Sequence, residues 1–428
     1  MAVSTYQETL EYLYSQLPMF SRIGASAYKK DLGNTLFLCN HIGNPQTKFK
    51  SVHVAGTNGK GSVSHFLASI FQEAGFKTGL YTSPHIHDFR ERIRVNGQMI
   101  DTEFVVDFVS SMKSFSESIQ PSFFELTVAM AFKFFEEEKV DIAIIETGLG
   151  GRLDSTNVIH PELSVITNIG YDHINMLGDT LGKIAFEKAG IIKKGSPAVI
   201  GQLLPETKNI FQEKAEQMHS PLVFAEDKWK YLSHHKNNFT FINKEEGKTH
   251  TYYSGLAGLY QQFNIPTVLA AVEEMKTLGW NIEEKNIQKG MQEVVLNTGI
   301  RGRWQKIEEH PDIILDVAHN EDGIKQVLRQ LKEEYPRSNW HFIMGFVNDK
   351  PLDKILSLLP KDQHYYFTKA HILRALETKE LCILAAGFGI TGKEYDHVNL
   401  ALNAAKLNAG QSDVIVICGS FFIIAELP

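Results

Sequence analysis

Seven consecutive residues, Gly56, Thr57, Asn58, Gly59, Lys60, Gly61 and Ser62, join an apolar run over 50–56 to a helical pattern that reaches Gly75. A glycine-rich turn between a strand and a helix presents backbone N–H groups and a helix N-terminus, which together cradle phosphate. Lys60 adds the cation that neutralises the outer phosphates of a nucleotide. The string departs from the common G-x-x-x-x-G-K-[ST] form, because Val54 stands at the first glycine position and Gly61 separates Lys60 from Ser62. A purely structural turn is the alternative. The lysine and serine inside it favour phosphate.

Three further strand ends bear on the same chemistry. The apolar run at 140–146 closes on Glu146 and is followed by Thr-Gly-Leu-Gly-Gly. In a parallel sheet this puts the carboxylate at the edge where ligands collect. A carboxylate ending so apolar a strand is costly unless it is solvated or faces a cation, and Mg²⁺ prefers such hard oxygen donors. Ser83 ends the run at 77–83 in the same sense, and Tyr171-Asp172-His173 follows the run at 163–169. Hydroxyl, carboxylate and imidazole then converge beside the phosphates. Taken singly, Ser83 also reads as a turn residue and His173 as a structural histidine.

The elements that must position these groups alternate between apolar runs and amphipathic helical patterns, the signature of βα units and a mainly parallel sheet. Residues 122–138 read as a helix leading into the Glu146 strand. Residues 229–254 differ, with polar turns between short aromatic pieces, and predict a small antiparallel region. Helices are expected over 261–278 and from 283. Beyond a Gly/Arg-rich crossing at 299–303, four more runs (313–316, 341–345, 363–367 and 413–418) alternate with helical patterns. Two α/β domains follow, 1–297 and 298–428, the second Rossmann-like.

Length and composition agree with two lobes: 428 residues exceed one ordinary core, and 43% hydrophobic with 22% charged residues is globular. The formal charge of -7 argues against a nucleic-acid partner. Cys39, Cys382 and Cys418 form no CxxC pair, and fit a reducing compartment. The N-terminal stretch reads as neither signal peptide nor membrane span, so a cytoplasmic chain without a membrane partner is expected. A monomer is expected.

The strings HVAGTNGKGS, YTSPH, FFELT, ETGLGGRLDSTN, DHINMLG, EKAGI, RGRW and DVAHN together resemble the folylpolyglutamate synthase/dihydrofolate synthase family of the Mur ligase superfamily, along almost the whole chain. The extra Gly61 is similar to that superfamily's form of the phosphate loop. The resemblance implies a P-loop Mur-ligase-like fold and an ATP-dependent amide ligase joining L-glutamate to a folate, with dihydropteroate left open as a second acceptor. A carboxylate is a poor electrophile at neutral pH. Transfer of the γ-phosphoryl group makes an acyl phosphate, the glutamate amine attacks it, and ADP and phosphate are released.

The same resemblance implies Lys60, Glu146, His173 and Lys188 as the catalytic set, and Ser83, Glu146 and His173 as the Mg²⁺ positions. A histidine runs against that ion's oxygen preference, so its place rests on the resemblance. Lys188 matches a lysine carbamylated by CO₂; without family context a surface helix lysine is the better reading. Asn264, Arg303 and Asp316 match nucleotide contacts, the last two from the second domain. Arg303 suits phosphate through its fork of donors, an interdomain salt bridge being the alternative. Asp31, Leu32, Gly33 and Phe124 resemble the pterin-binding neighbourhood, with Arg152, Leu153 and Asp154 after the glycine-rich turn. A core phenylalanine is the alternative for Phe124. His319 and Ser420 match positions near the incoming glutamate. Two departures stand out: Arg301 replaces a common proline, and Val317 replaces a glycine in the Asp-Val-Ala-His-Asn string. Two other readings remain at this point, a Mur-type ligase acting on a UDP-linked cell-wall precursor and a non-catalytic P-loop regulatory module.

Overall fold

The computed structural model describes residues 5–19, 24, 31–348 and 352–427. Runs such as Val-His-Val-Ala and Ile-Ala-Ile-Ile-Glu are rich in β-branched residues and buried on both faces, so they settle as central strands covered on each side. They lie in an eight-stranded sheet built from β1 (Lys50–Ala55), β2 (Thr78–Tyr81), β3 (Ile93–Val95), β4 (Gln98–Met99), β5 (Ile142–Glu146), β6 (Leu163–Ile166), β7 (Ala198–Ile200) and β8 (Leu222–Phe224). The spatial order is β4-β3-β2-β5-β1-β6-β7-β8. From β2 to β8 every neighbouring pair is parallel, and β3 and β4 close one edge antiparallel.

Register fixes what meets at the carboxyl edge. Val54 lies opposite Glu146 on one side and Val165 on the other, so the ends of β5, β1 and β6 are level. The helix Lys60–Glu73 leaves this edge with residues 61–71 all buried. The helix Phe123–Glu137 returns to β5 and starts on a reciprocal cap, with Glu125 N donating to Ser122 Oγ and Ser122 N to the Glu125 carboxylate. Two apolar clusters cover the sheet, one containing Tyr81, Phe123, Phe132 and Ile145, the other Ile166, Ile184, Ile191 and Phe211.

The polar, aromatic stretch forms the expected antiparallel sheet, β9 (Trp229–His235), β10 (Asn238–Asn243) and β11 (Thr249–Tyr253), with β10 central. A third sheet contains β12 (Gln305–Glu308), β13 (Asp312–Leu315), β14 (Trp340–Met344), β15 (His364–Phe367), β16 (Gly392–Glu394) and β17 (Val414–Cys418), in the order β12-β13-β17-β14-β15-β16. Only β12 runs antiparallel to its neighbour.

The chain divides into two compact units. One holds the described residues up to Gly255 together with Gln261–Ile300; the other holds Leu256–Tyr260 and the chain from Arg301 onward. The short segment joins the second unit through Gln330, whose Oε1 accepts from Leu259 N at 2.9 Å and whose Nε2 donates to Ala257 O at 2.9 Å.

Candidate active site

The glycine loop is held from two sides. Gly59 has φ 83° and caps the helix Lys60–Glu73, and a Cβ there would collide with Asn264 Oδ1. Only glycine meets both demands. Asn264 lies on the helix Gln261–Thr277, and its Nδ2 donates to Gln261 Oε1 at 2.8 Å. From the other side the chain beyond β6 grips the loop: Thr167 Oγ1 donates to Asn58 O at 2.5 Å and Asn168 Oδ1 accepts from Asn58 N at 2.8 Å. The Thr57 hydroxyl donates to Gly170 O at 3.1 Å and accepts from Gly170 N at 3.0 Å. Thr167, Asn168 and Gly170 were not singled out from sequence. The available signal was a polar Thr-Asn pair directly after an apolar strand.

Two lysines meet on this loop. Lys60 Nζ donates to Gly56 O at 3.1 Å and Thr57 O at 3.3 Å. Lys188 Nζ donates to the same Gly56 oxygen at 2.7 Å. Lys188 is no surface residue: it is 3% exposed, near the end of the helix Leu181–Ala189. Burial, then the nearby Lys60 charge, push its ammonium down to about 7, against the opposing pull of Asp172 and Asp154. A large fraction of the amine is therefore neutral near physiological pH.

Glu146, 4% exposed, accepts from Ser83 N through Oε2 at 3.4 Å, so the ends of β2 and β5 bring these two residues together. His173 follows the segment that grips the loop and begins the short helix Ile174–Leu177 with φ 49°. Its N–H donates to Asp172 Oδ1 at 2.8 Å, and its Nε2 lies 3.8 Å from Asp172 Oδ2. Among the described residues, no three His, Cys, Asp or Glu side chains are grouped as a metal site. The donor set at Ser83 and Glu146 is hydroxyl plus carboxylate, both hard oxygens that fit Mg²⁺ with phosphate and water filling the remaining positions; an imidazole fits less well.

The turn after Glu146 is built on Asp154. This carboxylate, 3% exposed, accepts from Leu149 N at 2.8 Å, Thr156 N at 3.0 Å and Thr156 Oγ1 at 2.5 Å. Both of its oxygens are committed to the chain itself. Arg152 pairs with Glu187 at 2.8 Å and covers the Phe186 ring, while Leu153 is half-buried. Phe124 stands on the other side of the turn: a Cβ on Gly148 would overlap its ring, and Tyr81 packs at 6.0 Å. Asp31 Oδ1 caps Gly33 N at 2.8 Å, Leu32 precedes the helix Gly33–His41, and Asn34 Nδ2 reaches Glu125, next to Phe124, at 3.2 Å.

In the second unit Asp316, directly after β13, accepts from Tyr260 OH at 2.8 Å, Trp304 N at 2.9 Å and Ala318 N at 2.9 Å. Its burial raises the carboxyl pKa against those bonds. Arg303, His319 and Ser420 gather at Phe421: the guanidinium lies 5.4 Å over the ring, the imidazole packs at 5.9 Å, and Ser420 Oγ caps Phe422 N at 3.1 Å. Val317 donates its N–H to Gly302 O at 3.0 Å and takes no positive φ, so the missing glycine costs this loop nothing.

Comparison with known proteins finds relatives along the whole chain. Residues 54–272 match the Mur ligase middle domain and residues 302–421 the Mur ligase glutamate ligase domain. The two matches define a Mur-type ligase. The dihydrofolate synthase/folylpolyglutamate synthase of Bacillus subtilis (strain 168) is 33% identical, covering 99% of this chain and 98% of its own. The folylpolyglutamate synthase of Lacticaseibacillus casei is 32% identical, covering 99% and 97%. Among solved structures, Escherichia coli FolC in complex with DHPP and ADP superposes with a TM-score of 0.86 at 28% identity, covering 99% and 97%. The Yersinia pestis bifunctional folylpolyglutamate synthase/dihydrofolate synthase, complexed with AMPPNP and Mn ion, gives 0.85 at 26%, covering 99% and 97%. The chain belongs to the folylpolyglutamate synthase/dihydrofolate synthase family of Mur ligases.

Proposed function

We propose that this chain is an ATP-dependent ligase that joins L-glutamate to a folate through an acyl phosphate, releasing ADP and phosphate. The observation that carries the reading is the meeting of the glycine loop, Lys60, buried Lys188 and the Ser83–Glu146 pair at one sheet edge. Phosphoryl transfer asks for positioning and charge neutralisation rather than covalent help, and this edge supplies both. Gly56 to Ser62 hold the triphosphate through their amides, and Lys60 faces its outer oxygens. Asn264 borders the same loop as a nucleotide contact, and in the second unit Arg303 and Asp316 are assigned to ATP, Asp316 by ordering the loop that carries Arg303. Ser83, Glu146 and His173 would hold Mg²⁺, which would supply neutralisation of phosphate oxygens.

Lys188 is assigned as a carbamate. Its neutral amine nitrogen would bond to the carbon of CO₂ as one C=O π pair moves onto oxygen and an N–H proton is released to solvent, so a site that is cationic when protonated would become anionic beside the loop. The low proton affinity of the buried amine supports this. Phe124, Asp31, Leu32 and Gly33 form the pteridine side of the acceptor site, bordered by Arg152 and Leu153 with Asp154 ordering the turn. His319 and Ser420 face glutamate. Dihydropteroate is a second acceptor, a reading favoured by the two-activity name of the Bacillus relative. The chain acts as a cytoplasmic monomer; its free cysteines suit that compartment, and no described helix is long and apolar enough to cross a membrane.

Radiolabelled glutamate incorporation with purified protein and ATP tests the reading, using tetrahydrofolate, dihydropteroate or a UDP-linked peptide precursor as acceptor. Magnesium-dependent incorporation into the first two is expected. Incorporation into the UDP-linked acceptor, or ATP binding without any glutamate-dependent turnover, overturns it.

A further inference from the structure

Ser83 sits at the start of a long excursion between two paired strands, β2 and β3. Thr82 N donates to Arg92 O at 3.0 Å, so the excursion closes on itself one residue before Ser83. Its far limb is tied down by one carboxylate. Glu91 accepts from Ile86 N at 2.8 Å, His87 N at 3.0 Å and Asp88 N at 2.9 Å. The next residue, Arg92, is 7% exposed and donates from Nε to His85 Nδ1 at 2.7 Å, while its guanidinium lies 5.2 Å over Phe123. Asp88 in turn accepts from Arg90 N at 2.9 Å and pairs with the Arg90 guanidinium at 2.8 Å. Every residue from His85 to Asp88 is therefore bonded within the excursion, and Ser83 is left to bond outward, its N–H meeting Glu146 at 3.4 Å.

We infer that Glu91 and Arg92 are positioning residues for the metal donors: acting through residues 85–88, they fix the Ser83 backbone against Glu146 so that hydroxyl and carboxylate are aligned before a cation arrives. The inference rests on the proposed Ser83–Glu146 cation site and adds what holds it. Three N–H groups converging on one carboxylate make a loop conformation that a neutral amide cannot reproduce, because the amide NH₂ of a glutamine would face a donor. A lysine at 92 keeps the charge and loses the Nε donor in its planar fork.

Mn²⁺ binding to the full-length chain in the presence of ADP, followed by electron paramagnetic resonance of the free ion, is the test. Glu91→Gln and Arg92→Lys are each expected to weaken Mn²⁺ binding about tenfold, and Ser83→Ala and Glu146→Ala give the reference loss. Deuterium uptake at amides 86–88 is expected to rise in Glu91→Gln without any metal present. Wild-type Mn²⁺ affinity in both Glu91→Gln and Arg92→Lys, alongside a clear loss in Ser83→Ala and Glu146→Ala, overturns the inference and leaves the cation site standing. Unchanged affinity in the two reference variants overturns the cation site, and the inference with it.

Discussion

Lys188 Nζ donates to Gly56 O at 2.7 Å, and the same oxygen accepts from Lys60 Nζ at 3.1 Å. Two lysines from distant segments thus converge on the first residue of the phosphate loop. Only one is buried, and that one gives up its proton near 7.

Stability should carry the mark of this amine. The unfolded lysine holds its proton up to its ordinary value of 10.5, whereas the folded one loses it from about 7. Between those values the unfolded chain binds more protons, so this site's contribution to stability rises with pH. Lys188→Met should therefore melt above wild type at pH 6.5, with the gap closing as pH approaches 10. Gly56 O keeps Lys60 as a donor in the variant. A gap that widens with pH, seen by scanning calorimetry of protein kept free of CO₂, contradicts a lowered proton affinity for the unmodified Lys188 amine.

Among the described residues Lys60 bonds to the backbone carbonyls of Gly56 and Thr57, and its removal should leave the fold intact. Lys60→Ala is expected to lower kcat by about 10²–10³-fold, the size of effect seen when one preorganised donor to developing charge is lost. Single-turnover ADP formation and circular dichroism measured together separate lost chemistry from lost structure.

A pair of glycines divides backbone strain from steric collision. Gly75 has φ 89° and, among the described residues, nothing within 4 Å of where a Cβ would sit, so Gly75→Ala should cost about 1–2 kcal/mol in urea unfolding and leave ADP affinity unchanged. Gly59→Ala meets Asn264 as well, and should weaken ADP binding by at least about tenfold by titration calorimetry.

Phe124 offers its ring beside Gly148 at the turn after Glu146. Loss of one aromatic stack of about 1.4 kcal/mol predicts that Phe124→Leu raises KM for the pteridine acceptor about tenfold while KM for ATP holds. Equal changes in both constants would mark Phe124 as a packing residue.

In the second unit, Tyr260→Phe removes one of the three donors to Asp316. A hydrogen bond to a charged group is worth about 1.5–3 kcal/mol, and urea unfolding should register that loss.

What the sequence made legible was whatever a local pattern carries. The glycine loop, the apolar strand ending at Glu146 and the antiparallel stretch at 229–254 each announce themselves within a dozen residues, because period and punctuation are local properties. Lys188 does not: a lysine inside a helical pattern reads as solvated, and only the packing of the helix Leu181–Ala189 under the loop buries it. Asp154 reads as a substrate-side carboxylate, and its oxygens turn out to cap Leu149 and Thr156, a commitment visible only once the turn has folded. The edge strands β3 and β4 are three and two residues long, too short for alternation to be counted. Thr167 and Asn168 act through a neighbouring strand, which no window along the chain can reveal.

The contact between Gly151 and the helix bearing Lys188 leaves no room for adjustment. A Cβ on Gly151 would lie 2.8 Å from Glu187 O and 2.9 Å from Lys188 O, one on Gly190 would strike Arg152, and Asn157 Nδ2 bridges the Arg152 and Gly190 carbonyls at 3.0 and 3.1 Å. Backbone rests on backbone here, without a compressible side chain between them. The carboxylate before the turn and the amine on the helix are thus carried by segments that touch backbone to backbone, so a substitution that pushes one segment outward also displaces the other.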